Sequence, residues 1–154
     1  MTPCRSAGGV WLTLDGEPSH FRESETGTPM SAAIIHTAEI LRRLVGLPII
    51  ITSGRRAQGH NTIVGGVEKS QHSVLLPDGS IIGNALDAMV KSVNYPVMRL
   101  AQLAEVAGAV GVGCSIFKSY VHFDMREGKK ARWMYTLAGE PTLSWTIPPW
   151  DRTL

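Results

Sequence analysis

Residues 119–125 read Ser-Tyr-Val-His-Phe-Asp-Met, a run of β-branched and aromatic residues that predicts a β-strand. Side chains alternate between the two faces of a strand, so one face is expected to pack into the core. That face consists of Val121, Phe123 and Met125. Tyr120, His122 and Asp124 then share the opposite face. They form either a solvent-facing polar stripe on an edge strand or one wall of a functional cleft, and the segment alone leaves both interpretations open.

The sequence around this strand predicts a small α+β domain. Helices are expected from Thr28-Pro29 to Val45 and from about Pro96 to Gly108, because apolar residues recur there at helical spacing. Further strands are predicted at residues 48–52 (a buried strand), in the two arms of the VLLPDGSII hairpin at residues 74–82, at residues 86–90, and at residues 109–112 before a turn at Gly113-Cys114. Short strands, antiparallel hairpins and helices in this irregular order are typical of α+β folds.

A chain of 154 residues suits a single domain, and composition divides it into three parts. Residues 1–27 are polar and contain several glycines, so they are expected to form an irregular lead-in. Residues 28–135 hold the predicted core, including a long ordered loop at residues 53–73. Residues 136–154, which carry two tryptophans and a Pro-Pro pair, are expected to form a tail that wraps the domain surface.

Composition and charge exclude several classes of protein. The formal net charge is only +2, and no concentrated basic stripe indicates a nucleic-acid partner. The basic residues near the end of the core, Arg126, Lys129, Lys130 and Arg132, are expected to form a solvated turn. Cys4 and Cys114 are far apart and belong to no Cys-x-x-Cys unit, which excludes a disulfide framework and a cysteine-based zinc site. We expect no membrane span and no secretory signal, and therefore synthesis in the cytoplasm.

Two polar residues elsewhere are candidates to act with His122. His72 ends the glycine-rich loop, and Asp87 lies in the strand predicted after the hairpin. Taken singly, a loop histidine is usually a surface residue, and an aspartate at a strand start usually caps the chain or faces water. Two imidazoles and one carboxylate nevertheless form a common catalytic zinc set that leaves a fourth position for water.

The string SGRRAQGHNTIVGGVEKSQH at residues 53–72, followed by GNALDAMV at residues 83–90, resembles the zinc D-Ala-D-Ala metallopeptidases. These cell-wall carboxypeptidases and endopeptidases share a fold with the Hedgehog signalling domain. Their pattern is Ser-Gly-Tyr-Arg, an Asn, Gly-Gly, Ser-x-His-x-x-Gly-x-Ala-x-Asp, and later a glycine-containing hairpin that ends in a strand histidine. The matching positions follow in the same order: Ser53, Gly54, Arg56, Asn61, Gly65, Gly66, Ser70, His72, Gly83, Ala85, Asp87, Gly113 and His122.

The resemblance implies a Hedgehog/DD-peptidase-like fold, with a small antiparallel sheet flanked by helices. It implies that His72, Asp87 and His122 bind one Zn²⁺ ion, and that the substrates are stem peptides of peptidoglycan. Arg56 would hold a substrate carboxylate or the oxyanion that develops during attack. Without the family, a surface salt bridge would be the simpler role for Arg56. A bacteriophage wall-degrading protein, acting at the bacterial cell wall or from within a virion, fits the expected lack of a signal segment.

One departure from the family pattern concerns spacing. The family's His and Asp lie seven positions apart, whereas His72 and Asp87 lie fifteen apart. The excess corresponds to most of the hairpin at residues 74–82. A tight hairpin brings its ends together, so both ligands are still expected to meet at one metal ion. Asp78 is a rival ligand, but it lies at the hairpin tip, which points away from its own base.

A second departure concerns the general base. Many family members carry Glu or Asp three residues before the last zinc histidine, where this chain has Ser119. A serine hydroxyl cannot collect a proton at neutral pH. Asp124 is the nearest replacement, either as the base or as a residue that orients the ligand. Two hypotheses therefore stand, a zinc peptidase of the cell wall and a zinc-containing wall-binding or structural module that has lost hydrolysis.

Overall fold

The structure, a computed structural model, describes residues 1–57 and 70–141. The strands are β1 (Ser6–Ala7), β2 (Val10–Leu12), β3 (Pro18–Arg22), β4 (Ile49–Ser53), β5 (Val74–Leu75), β6 (Ile81–Ile82), β7 (Ala85–Val90), β8 (Gly111–Ser115), β9 (Tyr120–Asp124) and β10 (Ala131–Met134). The helices of the described ranges are α1 (Glu23–Thr26), α2 (Ala32–Val45) and α3 (Val97–Val106).

A five-stranded sheet in the order β10-β8-β9-β7-β4 forms the centre of the molecule. Strands β8, β9, β7 and β4 pair antiparallel, whereas β10 runs parallel to β8. The expected mixture of helices and strands is confirmed, but the sheet is mixed rather than wholly antiparallel. Apolar residues of α2 and α3 pack on one face of this sheet and form the core with it. The opposite face is called the site face below.

Strand β9 shows the predicted alternation of side chains. Val121 and Phe123 are completely buried in the core, and Met125 packs against its margin. On the site face, the exposed fraction is only 6% for His122 and 0% for Asp124. The interpretation of this face as a solvent-facing polar stripe is therefore wrong, because β9 is an inner strand and His122 and Asp124 are buried.

The amino-terminal 27 residues are not irregular. Strands β1, β2 and β3 form an antiparallel three-stranded sheet, and the helical turn α1 follows at once. Trp11 and Phe21 are each 1% exposed and belong to the core, and the indole nitrogen of Trp11 donates to Thr26 Oγ1 at 2.8 Å. These single large anchors in very short strands give no periodic pattern, which explains why the sequence did not predict them.

Helix α2 begins later and ends where predicted. Its N-cap is Ser31, whose hydroxyl accepts a hydrogen bond from the Ile34 N–H at 3.2 Å, so Thr28-Pro29 precedes the helix. Gly46, at a φ of 72°, closes the helix in the left-handed conformation. Helix α3 lies within its predicted range. Strand β4 is an edge strand with alternating exposure, not a buried one.

Two more predictions concern turns. The hairpin at residues 74–82 is confirmed, with Val74 opposite Ile82 across the β5–β6 pair. The turn predicted at Gly113-Cys114 is wrong, because both residues lie inside β8 and the chain turns at residues 116–119. Gly113 serves close packing instead, since the Trp133 indole lies directly against it.

Parts of two further predictions fall outside the described residues. These are residues 58–69 of the expected loop and residues 142–154 of the expected tail. In the described part of the tail, Pro141 forms an isolated bridge with Tyr135, the last residue of the predicted core. Among the described residues, no helix combines the length and apolar character needed to cross a membrane.

Candidate metal centre

Three side chains from separate parts of the chain meet on the site face. Asp87 on β7 and His122 on β9 are directly opposite in the strand register, and His72 approaches from the segment before the hairpin. His72 Nε2 lies 3.2 Å from Asp87 Oδ1 and 3.2 Å from His122 Nδ1, and 3.0 Å separates the latter two atoms. One donor atom of each residue therefore points at a common centre, as the resemblance implies for metal ligands.

The hydrogen bonds behind each histidine fix which nitrogen faces this centre. His72 Nδ1–H donates to the Gly54 carbonyl at 2.7 Å, which leaves a lone pair on Nε2. His122 Nε2–H donates to Asp124 Oδ2 at 2.7 Å, so the neutral ring carries its lone pair on Nδ1. A ligand histidine typically donates its second ring N–H to a carbonyl or carboxylate in this way.

The backbone around His72 explains how a loop residue is placed so firmly. The Arg56 N–H donates to the His72 carbonyl at 3.0 Å, and the Ser73 hydroxyl donates to the Arg56 carbonyl. The segment after β4 and the segment before the hairpin thus lie side by side. Because the hairpin closes on itself, its extra residues project away, and Asp78 at its tip accepts hydrogen bonds from Ser80. Asp78 is not part of the cluster.

Asn84 ties this arrangement to the rest of the fold. Its backbone and side-chain N–H groups donate to the carbonyl and side-chain oxygens of Gln71 at 2.8 and 2.9 Å. The Ser31 hydroxyl at the start of α2 donates to Asn84 Oδ1 at 2.6 Å. Sequence reasoning missed the role of Asn84. A polar residue between the apolar end of the hairpin and the apolar start of β7 was the available signal.

The charges of the cluster favour a bound cation. Burial opposes the charged form of Asp87, but its contacts with the imidazoles of His122 and His72 hold the pKa of its carboxyl well below the usual range. Burial lowers the pKa of His72. Burial acts the same way on His122, yet its hydrogen bonds to Asp124 and Asp87 outweigh it and raise the pKa of His122 to about 9. The metal-free cluster therefore holds a proton between two carboxylates, where a metal ion would supply the positive charge.

Comparison with known families agrees with this geometry. A family model described as Peptidase M15 matches residues 12–124, which is more than half of the chain. The chain belongs to the peptidase M15 family. Membership confirms the resemblance to the zinc D-Ala-D-Ala metallopeptidases and implies metallopeptidase activity. No curated protein matches the chain.

In this M15 peptidase, Arg56 lies beside the cluster. Its Nη2 is 3.3 Å from Asp87 Oδ2, and its Nε donates to Ser53 Oγ at 2.9 Å. The side chain is 14% exposed, so this is a partly buried ion pair with a cluster residue and not a surface salt bridge. The guanidinium therefore borders the cluster through Asp87.

Asp124 and Ser119 occupy different surroundings in the M15 fold. Asp124 Oδ2 accepts from His122 Nε2, and Arg126 donates to Oδ1 from its backbone N–H at 3.1 Å and from Nε at 2.8 Å, and to Oδ2 from Nη2 at 2.6 Å. A completely buried carboxylate with both oxygens engaged fits a ligand-orienting role better than that of a base meeting water. Ser119 precedes β9 at a φ of 54° and lines a cavity of about 530 Å³ with Met89 and Tyr95.

Two residues of the expected solvated basic turn are only partly exposed, and both form ion pairs. Arg126 pairs with Asp124 beside the cluster, and Arg132 pairs with Glu105 of α3 through Nε and, at 2.7 Å, Nη2. Sequence reasoning missed the contribution of Arg126. The available signal was the two-residue spacing of His122, Asp124 and Arg126, which places all three on one side of an extended chain.

Proposed function

We propose that this M15 peptidase is a zinc-dependent hydrolase that cleaves peptide bonds in the stem peptides of bacterial peptidoglycan. The observation that carries the proposal is the convergence of His72 Nε2, Asp87 Oδ1 and His122 Nδ1 at separations of 3.0–3.2 Å. Ligand bonds of about 2.0–2.1 Å in a tetrahedron require donor separations of about 3.3 Å. Two imidazoles and one carboxylate at this spacing match a catalytic zinc site. The Hedgehog/DD-peptidase-like fold is part of the same proposal.

When bound, zinc supplies Lewis-acid chemistry, because it lowers the pKa of a water molecule and polarises a carbonyl. The residues of the chain hold and orient the ligands. Gly54 fixes the tautomer of His72 through its carbonyl, and Asp124 fixes that of His122. Among the described residues of the cluster, Asp87, opposite His122 in the strand register, contributes the anionic ligand.

Arg56 is proposed to bind the substrate. Its planar guanidinium suits a carboxylate of the stem peptide, and the same group stabilises negative charge that develops on the carbonyl oxygen. The hydrogen bond to Ser53 and the ion pair with Asp87 hold the guanidinium at the centre before substrate arrives, which lowers the entropic cost of binding. We expect Arg56→Ala to reduce kcat/KM without removing the metal.

The test combines metal analysis with hydrolysis. Purified protein should contain about one zinc per chain, and it should release new amino groups from purified cell wall and from defined stem peptides. His72→Ala should lose both the metal and hydrolysis, whereas Asp78→Ala at the exposed hairpin tip should keep both and serves as the matched control. Metal-replete, folded wild-type protein that leaves whole wall and stem peptides intact would contradict the proposal.

A second candidate is a zinc-containing module that binds the wall or has a structural role without hydrolysing it. The engagement of both Asp124 oxygens favours it, because the expected replacement for the missing acidic base is already occupied. Wall pull-down and wall hydrolysis distinguish the two functions. Zinc-dependent retention on purified wall without release of amino groups would select the second candidate.

The proposed place of action follows from the substrate. A bacteriophage wall-degrading protein meets peptidoglycan either during lysis of the host or from an infecting particle. Expression inside a bacterium should cause lysis only when the protein is given access to the wall, for example by co-expression of a holin. Host cells that stay intact with a functional holin, while purified wall is degraded in vitro, would argue against the bacteriophage role.

A further inference from the structure

A compact set of side chains encloses the outer edge of His122. Asp124 meets its Nε2–H at 2.7 Å, and Arg126 holds both oxygens of that carboxylate through Nε and Nη2 at 2.8 and 2.6 Å. The carboxylate is completely buried. The Arg126 pair therefore leaves Asp124 little freedom to rotate away from the imidazole.

Trp133 on β10 closes the set from two strands away, across Gly113 of β8. Its ring centroid lies 5.1 Å from that of His122, and the guanidinium carbon of Arg126 lies 5.0 Å from the same indole. At this distance the contact of the guanidinium with the ring is a cation–π interaction. Arg126 is thus held on one side by two carboxylate oxygens and on another by an aromatic face that also borders the imidazole.

Two glycines of β8 leave the space that this set fills. A Cβ at Gly111 would lie 2.5 Å from both oxygens of Asp124 and from Arg126 Nε, and a Cβ at Gly113 would lie 2.2 Å from Trp133 Nε1. Any side chain at either position would displace the set. These close approaches are independent of the hydrogen bonds and show that the set is tightly packed.

We propose that Arg126, acting through Asp124 and braced by Trp133, is a positioning residue that fixes the orientation of His122 for the metal centre. The proposal deepens the function proposed above and rests on it. Asp87 and Asp124 approach opposite edges of one imidazole, at 3.0 and 2.7 Å. A guanidinium that binds both oxygens of Asp124 holds the carboxylate so that a lone pair of Oδ2 is directed at Nε2–H of His122. The ring then presents Nδ1 to the centre in a single orientation.

Arg132 supplies a matched control. It also makes a bidentate pair with a carboxylate, that of Glu105, but the pair joins β10 to helix α3 on the other side of the sheet. Arg126→Met and Arg132→Met therefore remove the same kind of ion pair, and only the first pair involves a carboxylate that contacts a ligand of the centre.

The experiment measures zinc affinity by chelator competition and the His122 tautomer by long-range ¹⁵N–¹H correlation spectra. Arg126→Met should weaken zinc binding about 10- to 100-fold, the usual effect of losing a partner behind a metal ligand. In the zinc-loaded protein it should also replace the single Nε2–H signature of His122 with signals of both tautomers. Arg132→Met should lower Tm while zinc affinity stays within twofold of wild type. With stem peptide as substrate, zinc-saturated Arg126→Met should lose kcat and keep KM, because Arg126 acts on His122 through Asp124.

Two further variants keep the test decisive if Arg126→Met does not fold. Arg126→Lys keeps the positive charge but cannot bind both Asp124 oxygens as the planar guanidinium does, so it should lose part of the zinc affinity. Gly111→Ala keeps every charge but displaces the carboxylate, so it should lose affinity like Arg126→Met. Zinc affinity within twofold of wild type in the folded variants, with the Nε2–H signature retained, overturns the inference. Because these readouts need no substrate, inactive wild-type protein would contradict the proposed function and leave the inference standing.

Discussion

Replacing Gly54 with alanine tests how the amino-terminal part of the chain supports the metal centre. A Cβ at Gly54 would lie 2.1 Å from the Thr26 carbonyl oxygen, and an ordinary contact begins at 3.4 Å, so the two segments must separate by about 1.3 Å. The atoms that the added Cβ would meet belong to the backbone of Thr26, so no flexible side chain can move aside to relieve the contact. The same movement affects two hydrogen bonds of 2.7 Å, from Arg55 N–H to Thr26 and from His72 Nδ1–H to the Gly54 carbonyl.

The size of the effect follows from these contacts. Overpacking of this kind costs about 1–3 kcal/mol, and a lost hydrogen bond adds about 1 kcal/mol. A total of about 2–4 kcal/mol in the free energy of unfolding corresponds to a fall in Tm of about 4–16 °C for a domain of this size. Since the His72 ring loses the carbonyl that fixes its tautomer, zinc affinity should also fall about 10-fold or more.

The assay is thermal unfolding with and without a chelator, together with zinc competition. Gly79→Ala is the control, because Gly79 lies at the hairpin tip with open space around it, so that an added Cβ meets only the strain of its φ of 86°. It should lower Tm slightly and leave zinc affinity unchanged. A Tm within 2 °C of wild type corresponds to a change of about 1 kcal/mol or less. If Gly54→Ala stays within that margin and binds zinc as tightly as wild type, the contact between Gly54 and Thr26 does not support the centre as argued.

Removing zinc with a chelator should lower Tm by about 8–16 °C when free zinc stood at about 1,000 times Kd, since mass action then contributes about 4 kcal/mol. His72→Ala should unfold at the same temperature with and without the chelator. The zinc-free protein should become less stable as pH rises from about 6.5 to about 9, because the raised pKa of His122 gives stability that is complete below the unfolded value and is lost on deprotonation. Urea unfolding at fixed zinc-free conditions checks this sign, and rising stability across that window would contradict it. Asn84→Ala should cost about 2–4 kcal/mol, because the buried Ser31 hydroxyl and Gln71 amide lose their partner, whereas an isosteric Asn84→Asp should recover part of this loss in the same unfolding assay.

Local sequence signals predicted those elements whose pattern lies within a few residues. The alternation in residues 119–125 placed Val121 and Phe123 in the core, and the Pro-Asp-Gly turn predicted the hairpin. The hairpin in turn explains how His72 and Asp87 meet despite their unusual separation. In each case, a period or a turn residue carries the information, and the neighbours in the sequence are also the neighbours in space.

Other features depend on contacts between distant segments and left no local signal. The amino-terminal sheet is held by isolated anchors such as Trp11, and the parallel pairing of β10 with β8 brings Trp133 against Gly113. In a sequence, a glycine in a short apolar run fits a turn as well as it fits close packing. The packing role of Gly113 becomes evident only once the position of the Trp133 indole is known. The ion pair of Arg126 was hidden for the same reason, since a basic residue after a strand usually faces water.

The charges of the described site argue for a catalytic centre over a purely structural one. Asp87 and Asp124 flank His122, and each carboxylate is paired with its own arginine, Arg56 and Arg126. The two arginines thus match the two carboxylates, and a metal ion that binds replaces the proton that His122 holds in the metal-free cluster. A divalent cation held by such a set keeps most of its charge for other partners, whereas the thiolates of many structural zinc sites cancel it. An excess of positive charge in a largely buried cleft favours a substrate carboxylate and a developing oxyanion, which is the electrostatic requirement for hydrolysing a peptide bond.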